Sequence, residues 1–279
     1  MGTATNGGNR ETVVAAITDP ADVEQVLDVA TGLASPTAGR VQVCALADRE
    51  ATSPFLLRPE NDLEPDEVPP VREVLARSRA YARGTSIPVE CSIEIGTDPA
   101  TLLRSTVRDH DADRLVLAAP DGLEALSALL ERPPCALAVL ESRTPYHDIE
   151  TIEIHVDEES QAEPAAAVAR AVGTITDATV RVVARDTHDR IRTRETATAV
   201  CHHLHGVDLD PTQTTTGPAS RDSDTLVIRA GTLTAPAETA SPTIVTAPAW
   251  EPTLVDRARD FWTPLAPADV PDPKPALRG

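Results

Sequence analysis

Two aspartates, Asp19 and Asp157, each follow a strand-like run and precede a run of helical spacing. An acid at such a junction either caps the free N–H groups of the helix start or faces a ligand crevice. Capping is the simpler reading at both. In an open α/β sheet, ligands sit outside the carboxyl ends of strands, where the strand order reverses. That rule gathers Thr18, Asp19, Ala119, Pro120, Asp121 and Gly122 as the candidate crevice. Cradling a phosphate there takes consecutive inward N–H groups, which several glycines make sterically possible. After Gly122 there is no glycine up to Leu140, and a single one, Gly231, follows the fourth strand-like run of the second half. The crevice reads as vestigial. ATP binding is disfavoured, and no cofactor is expected.

His202, His203 and His205 invite a metal reading. On a helix over residues 195–205, however, Ala197, Val200, Cys201 and Leu204 take the inward face, so the histidines fan toward the sides and solvent. A cationic histidine near a helix C-terminus is favourable by itself, and no spacing matches a structural zinc site. Cys44, Cys91, Cys135 and Cys201 lie far apart with no C-x-x-C. The first three fall in strand-like runs and read as small hydrophobes in a reducing compartment. No metal site is expected. His110 and His155 have no visible nucleophile partner, and G-x-S-x-G, P-loop and H-E-x-x-H patterns do not occur. The chain reads as a non-enzyme.

The elements that would hold these residues alternate. Thr12–Ile17 is a buried-type strand, and Asp19-Pro20 opens a helix striped by Val23, Val26, Leu27, Ala30 and Leu33. Gly39 ends that unit, and residues 41–46 form the second strand. Residues 49–70, acidic and proline-rich, are longer than an ordinary connection and suit a mobile segment or lid. A helix over 71–83 stops at Gly84, and the third strand covers 89–95. Asp98 then caps a helix with Pro99 at its first position and Leu102, Leu103 and Val107 inward. Residues 115–119 are an unbroken apolar run, as in parallel strands covered on both faces. A short helix over 123–130 and a last strand over 135–140 complete a doubly wound parallel sheet with right-handed crossovers.

The chain then starts again. Thr151–Val156 answers Thr12–Ile17, and residues 180–184 answer 41–45 at the same offset of 139. Between them a helix over 163–176 turns Ala167, Val168, Ala171, Val172 and Ile175 inward. Residues 210–216 form a weak strand, antiparallel or absent, because 217–224 are too short for a crossover helix to 225–230. Residues 243–247 close the sheet. This gives an N-terminal segment without structure (1–10), a first domain (11–144), a degenerate second copy (145–250) and a tail (251–279). In the tail Phe261 and Trp262 cover an open core edge or dock a partner.

Residues 89–140 resemble the universal stress protein family. The phrases that carry the resemblance are Gly96, Asp98-Pro99-Ala100, Leu102-Leu103, His110-Asp111-Ala112-Asp113, the run 115–119 and Pro134-Cys135 with 136–140. Nucleotide-binding members carry G-x2-G-x9-G-[ST] between the last two strands, and this chain does not. In the family an aspartate ending the first strand contacts the nucleotide; that position falls on Thr18, one residue before Asp19, while Asp157 matches in the second half. The resemblance implies two tandem Rossmann-like domains of the adenine nucleotide alpha hydrolase type, the second reduced. It also implies an intramolecular pseudo-dimer with the last strands of the halves near each other.

The formal charge of −19, with Lys274 the one lysine among 25 basic residues, argues against nucleic acid and anionic membrane as partners. It also opposes a triphosphate unless Mg²⁺ or salt screens it. Such self-repulsion suits a salt-rich cytoplasm. No apolar run approaches ~18 residues, and residues 1–10 lack the apolar core of a signal peptide. The expected role is regulatory or scaffolding within a stress response, with a protein partner, for instance a membrane transporter. A nucleotide (ATP or AMP) sensor of the same fold and a hydrolase with an unrecognised site are the alternatives.

Overall fold

A strand that is apolar on both sides must sit inside a sheet, and β1 (Thr12–Ile17) is buried at every residue. β2 (Arg40–Asp48) and β4 (Arg114–Ala118) pair with it in parallel, one on each side. The computed structural model describes residues 10–48, 69–96, 98–119, 129, 131–156, 158–184, 190–204, 212–214, 224–230 and 241–249. Segment 49–68, the short helix expected at 123–130 (Leu129 apart), His205 and the tail lie outside them.

The other strands are β3 (Val89–Gly96), β5 (Ala136–Leu140), β6 (Thr151–Val156), β7 (Thr179–Ala184), β8 (Thr212–Thr214), β9 (Thr225–Ala230) and β10 (Thr243–Ala247). All ten form one sheet in the order β3-β2-β1-β4-β5-β10-β9-β6-β7-β8. Every neighbouring pair is parallel except β5 and β10, which run antiparallel with Leu140 opposite Ile244 and Leu137 opposite Ala247. The order is therefore 3-2-1-4-5 read inward from one edge, and the same pattern read inward from the other.

Helices α1 (Val23–Ala34), α2 (Pro69–Ala82), α3 (Pro99–Asp109), α4 (Ala162–Gly173) and α5 (Arg190–Leu204) connect the strands. Residues from α1, α2, α4 and α5 join one apolar cluster with one face of the sheet. On the opposite face Leu103 and Val107 of α3 pack with Val14, Ala16, Leu115 and Leu117. Arg114 at the start of β4 ties the halves together, reaching Glu163 of α4 at 2.8 Å and Glu11 at 3.3 Å.

Local chemistry explains the boundaries. Asp98 caps α3 through the N–H groups of Ala100 and Thr101, at 3.2 and 3.3 Å, and those bonds lower its pKa together with the Thr101 hydroxyl bond, the largest cause. Asp111, at φ 48°, supplies the left-handed residue that ends it. After α1 the left-handed residue is Ala38 (φ 50°), not Gly39. Gly39 is needed for a different reason: a Cβ there would lie 2.3 Å from the Glu11 carbonyl oxygen, which accepts from Arg40 N–H at 2.9 Å. Gly39→Ala must therefore part the first residues of β1 and β2. The expected loss is about 1–3 kcal/mol, in the range of other overpacking changes, read from the denaturation midpoint.

Three expectations need correction. Pro20–Asp22 forms a 3-10 turn before α1, so the α-helix starts at Val23 rather than at the Asp19-Pro20 step. Ile175 is 41% exposed, because α4 ends at Gly173, before the stripe reaches it. β8 is present, and it pairs in parallel with β7. The spacing does not forbid this, because a parallel connection needs a crossing length of chain and not a helix in it.

Candidate functional site

The strand order turns between β1 and β4, which places a crevice at their carboxyl ends. β1 leads directly into Thr18, which is exposed, and Asp19, which is half-buried. Asp19 is extended (φ −110°, ψ 128°), and its Oδ1 accepts from Ala21 N–H at 2.8 Å, capping the 3-10 turn. Its Oδ2 accepts from Arg143 Nη2 at 2.6 Å. Asp22, 1% exposed, accepts from Arg143 Nε at 2.8 Å. The Asp22 hydrogen bond and charge, joined by Asp19, hold Arg143 further into its charged range.

Arg143 lies on the segment that leaves β5. Gln25 of α1 anchors that segment by donating to the Thr144 carbonyl at 3.0 Å. Ala119 is buried and donates its N–H to Leu140 O at 2.9 Å, so it continues the sheet rather than lining an opening. Of the sequence-predicted residues, Thr18 and Asp19 stand at the crevice and Ala119 behind it. Pro120, Asp121, Gly122 and Asp157 lie outside the described residues. Chemically, the described part of the crevice is a guanidinium clamped between two carboxylates. Both acids are occupied, one by capping as well, which suits a structural clasp better than proton transfer.

Sequence reasoning missed Asp22 and Arg143. Asp22 had a signal, as an acid in a first turn. Arg143 had none, because it meets Asp19 across 124 positions of chain.

A second polar group was also missed. In β6, Glu153 (1% exposed) and His155 (8%) stand where β1 carries Val14 and Ala16. Glu153 Oε2 lies 3.2 Å from His155 Nε2, and Glu153 Oε1 lies 3.2 Å from Arg181 Nη1 on the neighbouring β7. All three make further contacts as well. The expected fan of histidines holds where it is described: His202 is exposed and His203 half-buried, near the end of α5.

A mostly parallel sheet, wound 3-2-1-4-5 and with its crevice at the switch point, defines the doubly wound, Rossmann-like α/β class. No protein-family model matches the chain, and no curated protein matches it. Among solved structures it is similar to a universal stress protein from Archaeoglobus fulgidus, with a TM-score of 0.51 and 12% identity over 86% of this chain and 99% of that one. It is also similar to a functionally unknown protein from Pseudomonas aeruginosa PAO1, with a TM-score of 0.51 and 13% identity over 86% and 94%. The chain has the fold of the universal stress proteins. Among the described residues, no helix is long and apolar enough to cross a membrane.

Proposed function

We propose that this chain is a tandem member of the universal stress protein family that works without catalysis. Residues 11–144 and 145–250 are its two copies, and the second is the reduced one. Its role is regulatory or scaffolding: it presents a surface to a protein partner, such as a membrane transporter, in a salt-rich cytoplasm. The observation that carries this reading is the clasp at the switch point. Arg143 occupies Asp19 and Asp22, two carboxylates among the described residues just after the carboxyl end of β1. The missing glycines and the charge of −19 add to it.

The test is thermal unfolding in molar KCl with MgATP or AMP. A ligand that binds the folded state at 100 times its Kd stabilises it by about 2.7 kcal/mol, a readily visible shift. The expected result is no saturable shift up to millimolar nucleotide. Saturable stabilisation at micromolar nucleotide would instead establish a sensor of the same fold.

A further inference from the structure

A polar strip crosses the edge of the sheet where an apolar face is the rule. Elsewhere on this face β1 and β4 present Val14, Ala16, Leu115 and Leu117. At the edge, β2 contributes Gln42 and Cys44, and β3 contributes Ser92 and Glu94, in register with Cys44 opposite Ser92 and Leu46 opposite Glu94. His110, the residue that ends α3, completes the group. The ligand atoms of Cys44, Glu94 and His110 all lie within 4.8 Å of one another. Burial grades across the cluster: Cys44 is 0% exposed, whereas Glu94 and His110 are half-buried and reachable from solvent. Three elements far apart in sequence thus converge a sulfur, a carboxylate and an imidazole on one point.

We infer that Cys44, Glu94 and His110 form a site for a divalent cation of the zinc class, with water in the fourth position. This goes beyond the proposed function and does not depend on it. A set of one sulfur, one nitrogen and one oxygen suits a borderline-soft ion with tetrahedral preference, and poorly suits Mg²⁺ or Ca²⁺, which take oxygen. Bond lengths of about 2.0–2.3 Å put tetrahedral ligands roughly 3.5 Å apart. Holding an ion therefore requires the side chains to draw in by up to about 1 Å. Ser92 holds the ligands ready: its Oγ lies 3.4 Å from Cys44 Sγ and 3.5 Å from Glu94 Oε1, and Gln42 Nε2 donates to it at 3.2 Å. Such outer partners orient ligands and are part of a working site.

Binding forms a metal–sulfur bond and breaks the thiol S–H bond, with the proton leaving to solvent. Burial pushes the Cys44 thiol up to about 12. Binding releases the thiol proton, so apparent affinity should rise with pH. Among the described residues, the other titratable groups acting on the cluster are Cys91 on β3 and Asp109 beside His110. Burial raises Glu94 as well, opposed by His110 and Ser92.

The test is Co²⁺ titration of the full chain, without an affinity tag, in molar KCl and under reducing conditions. The expected result is one equivalent of tetrahedral Co²⁺ with a thiolate-to-cobalt charge-transfer band, displaced by Zn²⁺. Cys44→Ser should abolish that band, and Glu94→Gln and His110→Gln should each weaken binding at least tenfold. Cys91→Ser, Cys135→Ser and Cys201→Ser should leave it unchanged, and circular dichroism confirms that each variant is folded. Absence of the band at millimolar Co²⁺, or a band that survives Cys44→Ser, overturns the site.

Discussion

Gly32→Leu is expected to lower stability by at least about 3 kcal/mol, the upper end of overpacking changes. For a chain of this size that corresponds to a melting temperature lower by roughly 6–12 °C. The reason is the approach of α1 to α4. A Cβ built on Gly32 would lie 2.8 Å from both Cα and Cβ of Ala171 and 2.9 Å from its carbonyl oxygen. Two of those atoms are backbone, so no rotamer change relieves the contact and the helices must separate. Gly32→Ala should also destabilise, but less, because alanine favours a helix over glycine by about 1 kcal/mol. Adding Ala171→Gly to Gly32→Ala should recover only a small part of the loss, since it removes the methyl contact but leaves those with the Ala171 Cα and carbonyl oxygen. Denaturant midpoints in molar KCl measure all three. An unchanged midpoint for Gly32→Leu would show that the helices do not meet as described.

The second large effect is expected at Arg181→Ala. It strips the guanidinium from Glu153, which is 1% exposed. Breaking a fully buried ion pair costs about 3–5 kcal/mol, because the remaining charge is left without its partner. Arg181 is 42% exposed at its side chain, and His155 remains beside Glu153, so water and imidazole offset part of that. The expected loss is about 2–3 kcal/mol on the same reasoning. Glu153→Leu in the Arg181→Ala background should restore most of it, because the buried charge itself is then gone. Midpoints of the two single variants and the double variant close the cycle. If the double variant is no better than Arg181→Ala alone, the charge of Glu153 is not what the guanidinium compensates.

Most of the scaffold was legible because parallel strands covered on both faces read as unbroken apolar runs. TVVAAI and the run 115–119 could hardly be anything else, and Asp98-Pro99 marked its helix to the residue. What was not legible depends on which elements meet. Gly32 lay outside the apolar stripe and carried no mark of its role, which comes from the approach of α4. Arg143 carried no local mark of its bond to Asp19. Cys44 fitted the pattern of a small buried hydrophobe, and it is buried; only the register of β2 against β3 and the end of α3 show that it also faces a carboxylate and an imidazole. TIEIHV did carry a signal, since its alternating polar residues mark a strand with one polar face, and Glu153 and His155 are that face.

The antiparallel seam between β5 and β10 lies within a single polypeptide. Two separate copies joined through such an edge would come apart on dilution, and each substitution would appear on both sides of the axis. Here closure of this seam carries no concentration dependence, and either side can change alone. Glu153 and His155 have no counterpart at Val14 and Ala16, an asymmetry that a pair of identical subunits could not hold.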